Sequence, residues 1–528
     1  MFSTVLSGAV YGIDSYLAHV EVDLSPGLPC FVMVGNLSSE VKEAGERVRI
    51  VLKNSGIQIP PMHIAVNISP GEIRKTGTGF DLPIAVAVLA ALGRIPADSI
   101  AGRLFLGELS LDGGLKPVRG VLPIMVHAAA TGVTRCMVPE ENAGEAGAVE
   151  VMKVAGAQSF TQVIEYLNLP EDKQEKLLFS GQMALKGDGV SFPGNSRDKK
   201  PHSGKGKGGK RLDFAQIQGQ EYAKQAALIG AAGFHHMLII GPPGAGKTMI
   251  ARRIPTILPP LTREESLEVS SLYSISGKLP KENVLMRERP FLSPHHSISP
   301  QALSGGGKVP RPGMVSLAHR GVLFLDELPE FKRQTIDLLR QPLEDKEIQI
   351  ARSSGFFNYP ADVMMVGAMN PCPCGYYPDR NKCRCTPYEV HNYLSHISGP
   401  VLDRIDICIP VGKVGIRQLQ SDKKGMGSKE MRAKVMQARV RQEERYRGTA
   451  FCFNSELGPD EVEKYCALGK EEKGFLEKLF RVMDFSARSY HRLLKVARTI
   501  ADLADCERIN EEHLQQAVSY RQGELFEK

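Results

Sequence analysis

Residues 241 to 248 read GPPGAGKT, between an apolar run, Met237 to Ile240, and a stretch of helical composition, Met249 to Ile257. A strand, a glycine-rich turn and a helix in that order leave few folds open. In the loop Gly241, Pro242, Pro243, Gly244, Ala245, Gly246, Lys247 and Thr248, the glycines let successive backbone N–H groups face a polyphosphate without an obstructing Cβ. Lys247 supplies a point charge for the β- and γ-phosphates, and the Thr248 hydroxyl can ligate Mg²⁺. The helix then presents its N-terminus to the anion. Further along, Leu323, Phe324 and Leu325 run continuously apolar into Asp326 and Glu327, as a strand covered on both faces requires. Asp326 is placed to hold the metal through water and Glu327 to polarise an attacking water.

The chain has 528 residues, too many for one core, so several domains are expected. It is 42% hydrophobic and 24% charged, and its longest apolar candidate, Leu82 to Leu92, is too short to span a bilayer. The start, MFSTVLSGAVYG, has no basic region ahead of its apolar residues. A cytoplasmic protein with no membrane partner is expected, and its ten cysteines should be reduced thiols. The net charge of +7 permits a polyanionic partner without requiring one.

Residues 1–170 alternate short apolar runs with turns. His19 to Leu24, Phe31 to Val34, His63 to Ile68, Leu104 to Leu106, Cys136 to Val138 and Val151 to Val154 read as strands, and Ser39 to Asn54, Leu82 to Leu92 and Leu122 to Thr131 as helices. Residues 171–212 are poor in apolar side chains and interleave Gly204, Gly206, Gly208 and Gly209 with Lys205, Lys207, Lys210 and Arg211. They read as a flexible basic linker, either a solvated tether or a DNA-contacting arm. Residues 213–410 form the nucleotide-binding core. Residues 411–528 are helical in pattern, with a charged stretch at Lys429 to Arg447, an amphipathic one at Phe475 to Asp505 and a last helix at Glu511 to Tyr520.

Three long phrases carry a resemblance: PFLSPHHSISPQALSGGG (290–307), PGMVSLAHRGVLFLDELPEF (312–331) and VGAMNPCPCGYYPD (366–379). They resemble the magnesium-chelatase-like AAA+ proteins of the ComM or YifB family, over nearly the whole chain. The implied fold is multidomain α/β: an N-terminal Lon-protease-like α/β domain, an AAA+ P-loop core of the helix-2-insert class and a C-terminal helical lid. By the same resemblance Asn370 matches sensor 1, which orients the attacking water. Arg404 matches the arginine finger offered to a neighbour's nucleotide, and Arg488 matches sensor 2. A finger supplied in trans implies a ring, by family a hexamer. Leu272 to Arg311 then fits the class's hairpin-bearing insertion, with Lys308 and Arg311 as residues that could grip a phosphate backbone.

Cys372, Cys374, Cys383 and Cys385 form CxC, eight residues, CxC, in a turn-rich segment just after Asn370. Four thiolates at loop spacing could close a structural Zn²⁺ site; otherwise they are four reduced cysteines of which some pack in a loop. His295 and His296 are adjacent on what reads as an extended loop, so their side chains should diverge, in structural or nucleotide-proximal roles. In the first domain, KTGTGFDLPIA (75–85) and LFLGELSLDGGLKPVRGVLPI (104–124) resemble the Lon-type protease fold. The resemblance puts Gly79 where that family's serine belongs, and Lys116 matches its lysine, which leaves the lysine nothing to activate. The domain therefore reads as non-proteolytic.

These readings converge on an ATPase that needs ATP and Mg²⁺. The resemblance implies a DNA motor, a hexameric branch-migration helicase in homologous recombination or natural transformation, that is, competence, acting on branched or single-stranded DNA. The alternative is a chelatase-type motor that remodels a protein partner.

Overall fold

The computed structural model describes residues 1–179, 212–280, 284–307, 309–352, 355–415, 425–483 and 487–521. The glycine- and lysine-rich segment at 204–211 and Lys308 lie outside the described residues. Among those described, no helix is long and apolar enough to cross a membrane.

The first part of the chain builds a seven-stranded mixed sheet in the order Cys30–Val34, Met62–Ser69, Asp14–Pro26, Phe2–Tyr11, Arg103–Phe105, Arg135–Pro139 and Lys153–Ala157. Alternation sets its inner face: Ala18, Val20, Val22 and Leu24 on one strand and Ile64, Val66 and Ile68 on its neighbour are buried. Under that face lies the helix Asp81–Ala91, apolar all round and buried on nearly every side, as its composition demands. The expected helix over Ser39 to Asn54 is divided at Glu43 into Ser39–Lys42 and Ala44–Asn54. The expected strand at Val151 to Val154 is displaced to Lys153–Ala157.

The second part is a five-stranded parallel sheet in the order Phe291–Leu292, Val322–Leu325, Met364–Met369, Met237–Ile240 and Ile407–Pro410. Period-two alternation sorts its residues into two separate cores. Met237, Ile239, Phe324, Val366 and Ile407 face one side, and Leu238, Ile240, Leu323, Leu325 and Met365 face the other. The first side is covered by the helix Glu221–Gly233 and by the C-terminal helices Ser428–Arg445 and Ala487–Leu503, which share one apolar cluster with the sheet. The open edge strand is also capped: the Cys408 N–H donates to the Tyr520 carbonyl at 2.7 Å, next to the end of the helix Glu511–Ser519.

Two expectations in this part change. The helix expected over Met249 to Ile257 runs only Lys247–Ala251 and continues as a 3₁₀ turn at Ile254–Thr256, because Pro255 cannot extend the ladder. The segment Leu272 to Arg311 is not one insertion. Leu272 belongs to the helix Arg263–Ser276, Phe291–Leu292 is an edge strand of the main sheet, and only the helix Pro300–Ser304 and a hairpin, Gly305–Gly306 against Arg311–Pro312, stand apart. A longer hairpin, Glu347–Arg352 against Gly355–Pro360, lies beside it. Tyr359, fully buried, donates its hydroxyl to the Pro310 carbonyl at 2.9 Å and so ties the two hairpins together.

The two parts meet at defined contacts. The Gly120 N–H donates to the Ser274 carbonyl at 3.3 Å, the Ser274 hydroxyl donates to the Glu145 carboxylate, and Arg263 pairs with Glu150 at 3.0 Å. Burial holds the Glu145 carboxyl above the usual carboxylate range, against the pull of its bonds to Ser274, the Leu122 N–H and Asn142. Tyr11 packs on Phe357 of the longer hairpin with ring centroids 4.7 Å apart.

Candidate nucleotide-binding site

The strand Met237–Ile240 sits between Met364–Met369 and Ile407–Pro410, so the chain leaves it toward one edge of the sheet and returns on the other side. In open α/β sheets the crevice at the carboxyl ends of strands at such a reversal is where ligands bind. The glycine-rich loop emerges there. Gly244 and Gly246 take φ of +77° and +86°, a left-handed conformation that side chains with a Cβ resist, and Gly246 caps the helix that starts at Lys247. The Lys247 ammonium donates to the Gly241 carbonyl at 2.6 Å, the Pro242 carbonyl at 3.1 Å and the Asn370 Oδ1 at 2.9 Å. Burial pulls its pKa down, and the charges of Asp326 and Glu327 oppose that pull. Across the crevice the Thr248 hydroxyl donates to Asp326 Oδ2 at 2.8 Å.

Glu327 follows at φ +53°, with its N–H on Asp326 Oδ1 at 3.0 Å. Its carboxylate lies 3.4 Å from His296 Nδ1. His296 thus stands beside the site, and the two histidine rings do not diverge: their centroids are 4.0 Å apart. The expectation of an extended loop fails because the chain turns there, with the Ile298 N–H bonded to the His295 carbonyl at 2.9 Å. No spacing rule on a loop would single out His296. The one available signal is the pairing of two histidines ahead of the acid-ended strand.

The structure brings Lys247, Thr248, Asp326, Glu327 and Asn370 together, and leaves Arg404 and Arg488 elsewhere. Arg404 precedes the strand Ile407–Pro410, which is parallel to Met237–Ile240, so it belongs to the amino edge of the sheet, whereas the phosphate loop leaves from the carboxyl edge. A four-residue strand spans roughly 13 Å. At that amino edge Arg404 bonds the Pro400 carbonyl at 2.6 Å and pairs with Glu344, whose carboxyl it holds below the usual range. Its Nε has no partner among the described residues. Arg488 lies 3.5 Å from Asp403. Both arginines line a cavity of about 420 Å³, with Arg492, Lys495, His236 and Asp406 also on its walls. The half-buried basic pair Arg492 and Lys495 was not legible beforehand, because one amphipathic helix offers many cations and the sequence does not say which face a cavity.

The four cysteine sulfurs, far apart in no direction, all lie within 4.8 Å of one another. Cys372 to Cys374, Cys372 to Cys383 and Cys374 to Cys383 are 3.3, 3.8 and 3.6 Å. Thiolates at Zn–S distances of about 2.3 Å in a tetrahedron are separated by about 3.8 Å, so the donor set fits zinc. In the first part of the chain, a Cβ built on Gly79 would meet only Val118 and Leu106, at 3.8 and 4.0 Å. Lys116 is exposed and pairs across a two-stranded ribbon with Glu108, to whose carboxylate the Thr78 hydroxyl donates.

A parallel sheet with a phosphate loop at its point of reversal, an acid-ended strand one place removed and a polar residue closing the strand between them defines the P-loop nucleotide-binding class. Three family models match: "Magnesium chelatase, subunit ChlI" over residues 213–419, "Subunit ChlI of Mg-chelatase" over 20–142 and "Magnesium chelatase, subunit ChlI C-terminal" over 425–521. The competence protein ComM of Haemophilus influenzae is 40% identical over 519 residues, spanning 98% of this chain and 97% of its own. The uncharacterized protein YifB of Salmonella typhimurium is 39% identical, over 97% of this chain and 96% of its own. A magnesium-chelatase 38 kDa subunit of Rhodobacter capsulatus is 28% identical over 174 residues, covering 30% of this chain and 50% of that subunit. The chain belongs to the ComM/YifB family of magnesium-chelatase-like AAA+ proteins.

Proposed function

We propose that the chain is an ATP-driven DNA motor whose working form is a ring, by family resemblance a hexamer, and that it acts as a branch-migration helicase in recombination or in the uptake of transforming DNA. The observation that carries this reading is the split of the site. Lys247, Thr248, Asp326, Glu327 and Asn370 converge at the carboxyl edge of the sheet, while Arg404 and Arg488 share a cavity at the amino edge. A chain with phosphate-binding and charge-neutralising groups on opposite edges completes its pocket by presenting one edge to the other edge of a neighbour. Within that pocket Lys247 cradles the β- and γ-phosphates, Thr248 and Asp326 hold Mg²⁺, Glu327 and Asn370 orient the water, and Arg404 with Arg488 neutralise charge on the neighbour's transferring phosphoryl group. Bound by Thr248 and Asp326, the ion would supply charge neutralisation.

DNA as the polyanion is supported by the competence protein that matches the chain end to end, by the net charge and by the hairpins, where Arg311 and Arg352 are exposed. The hairpin pair fits the helix-2-insert class. The first domain fits a Lon-like fold without protease chemistry: Gly79 offers no nucleophile, Thr78 is committed to Glu108, and Lys116 is exposed where an activated lysine needs burial. It serves assembly or DNA contact. The cytoplasm, a reducing compartment, suits ten free thiols.

A second reading, a chelatase-type motor acting on a protein partner, is favoured by the three family models, all of which describe a magnesium chelatase subunit. One experiment separates the two: ATPase activity and strand displacement measured with linear, forked and four-way DNA at graded salt. The motor reading expects turnover raised by DNA and an affinity that falls steeply with salt. Turnover indifferent to every DNA form, yet raised by a protein partner, selects the chelatase-type reading.

A further inference from the structure

The cysteine cluster abuts the phosphate loop. Cys372 follows Asn370 by two positions, and the loop it opens folds back so that Gly375, at φ +82°, lies against Pro243. A Cβ on Gly375 would stand 2.5 Å from Pro243 Cδ, 3.0 Å from its Cγ and 3.7 Å from Asn370 Cγ. The turn is pinned at the cysteines themselves: the Gly375 N–H donates to the Cys372 carbonyl at 2.9 Å, and the Tyr377 N–H to the Cys372 sulfur at 3.4 Å. The next residue, Tyr376, places its ring 5.3 Å from the Lys413 ammonium, just past the strand on the other side of the phosphate loop. Asn370, at the root of the same loop, accepts from Lys247. The loop thus touches the nucleotide site at Pro243 directly and at Lys247 through Asn370.

Apart from Tyr376 and Tyr377, which pack in part against the core, and a turn closed by the Cys383 N–H on the Asp379 carbonyl at 2.7 Å, the loop is held chiefly where its cysteines meet. Between Cys374 and Cys385 it carries Asp379, Arg380, Asn381, Lys382 and Arg384, and the side chains it buries near the turn are those of Pro371, Cys372 and Cys383. A segment this polar cannot fund its own ordering from apolar burial, whereas four thiolates on one divalent ion supply it outright.

We propose that a zinc ion held by Cys372, Cys374, Cys383 and Cys385 is the clasp that sets the nucleotide site. With the metal bound, the loop seats Gly375 on Pro243 and keeps Asn370 in register with Lys247, and nucleotide affinity depends on metal occupancy. Gly375 and the four cysteines are positioning residues. They act through Pro243 and Asn370. The proposal rests on the nucleotide reading of the phosphate loop.

The test uses the full chain, purified with zinc in the medium, and two readouts: zinc per chain by elemental analysis, and affinity for a fluorescent non-hydrolysable ATP analogue with Mg²⁺ in excess. The expected result is one zinc per chain, with affinity falling about ten-fold or more on stripping by a zinc-selective chelator and returning when Zn²⁺ is restored. Gly375→Ala, which leaves every thiolate in place but thrusts a methyl group at Pro243, is expected to keep its zinc and lose affinity several-fold. A chain that binds no zinc, a stripped chain with unaltered affinity, or a Gly375→Ala variant that holds both zinc and nucleotide like the parent overturns the proposal. Lys247→Ala, run alongside, should keep zinc and lose nucleotide. If it binds nucleotide normally, the reading of the phosphate loop has failed, whatever the metal does.

Discussion

Lys247 shows how a single side chain prepares a site. Its ammonium is partly withdrawn from water and spends its three protons on the Gly241 and Pro242 carbonyls and on Asn370, oxygens that stand where phosphate oxygens would compete for the same charge. Lys247→Ala should therefore weaken nucleotide binding itself. Glu327→Gln, which keeps the shape and removes only the base, should bind normally and hydrolyse about a hundred-fold or more slowly. Equilibrium binding of a fluorescent analogue beside phosphate release distinguishes the two, and unaltered release in the glutamine variant would remove Glu327 from its assigned role. A histidine at the opposite edge of the sheet yields a different prediction. His236 is half-buried on the wall of the cavity that Arg404 shares, and burial lowers its pKa from 6.5 to about 4, against the raising influence of Asp406 and Asp362 and with the help of His235 and Lys346. Its Nδ1 accepts the Met365 N–H at 3.1 Å, which requires the neutral ring. Below pH 6.5 the unfolded chain takes up a proton here that the folded chain refuses until about pH 4. Stability should accordingly fall as pH drops through that window, by up to about 3 kcal/mol, and this term should be constant below it. His236→Asn, whose amide oxygen can accept the same N–H without titrating, should flatten that part of the denaturation profile of the core.

Among the elements, the two hairpins carry the most testable consequence. Arg311 on the shorter one and Arg352 near the tip of the longer are exposed, with Phe356 beside the latter 76% exposed, and the buried Tyr359 couples the pair through Pro310. If both arginines contact phosphates of single-stranded DNA, Arg311→Ala with Arg352→Ala should weaken binding and reduce the slope of log affinity against log salt by about 1.4. An unchanged slope would take the hairpins out of the DNA path. The shorter hairpin was anticipated only through the family resemblance, which implied a hairpin-bearing insertion within Leu272 to Arg311. The longer one, EIQIAR paired with GFFNYP, alternates as a hairpin should, but nothing in that alternation says it stands clear of the sheet. Elsewhere legibility followed the same physical line. Continuous apolar runs such as Met237 to Ile240 and Leu323 to Leu325 announced buried parallel strands. The first strand, Phe2–Tyr11, went unread because two of its inward positions are serines, whose hydroxyls donate to the Ala87 and Phe105 carbonyls at 2.6 and 3.0 Å instead of packing. The phosphate loop and Asp326 could be placed because each ends a strand of recognisable pattern, whereas Asn370 was placed by the family resemblance. His296 and Gly375 act from turns whose path is fixed only by what they pack against.

At the level of the whole molecule the decisive geometry is that Lys247 and Arg404 lie at opposite edges of one sheet. Arg404 cannot reach its own phosphate loop without crossing the length of the strand Ile407–Pro410, and it is parked on Glu344 with an Nε that has no partner among the described residues. A buried guanidinium donor without a partner costs stability unless an acceptor arrives from outside. In the proposed ring a neighbour's polyphosphate would be such an acceptor, and bringing it there would make assembly part of the chemistry. Arg404→Ala should therefore assemble and bind nucleotide but hydrolyse poorly, and Lys247→Ala should hydrolyse poorly because its own loop binds no nucleotide. Mixed in equal amounts and allowed to exchange subunits, the two inactive variants regenerate a whole pocket wherever an intact loop from the first meets an intact arginine from the second, at about a quarter of the interfaces of a closed ring. Turnover of the mixture should rise well above that of either variant alone and scale with the product of their fractions. If Arg404 worked within its own chain, every subunit in the mixture would remain defective and no ratio of the two would recover activity.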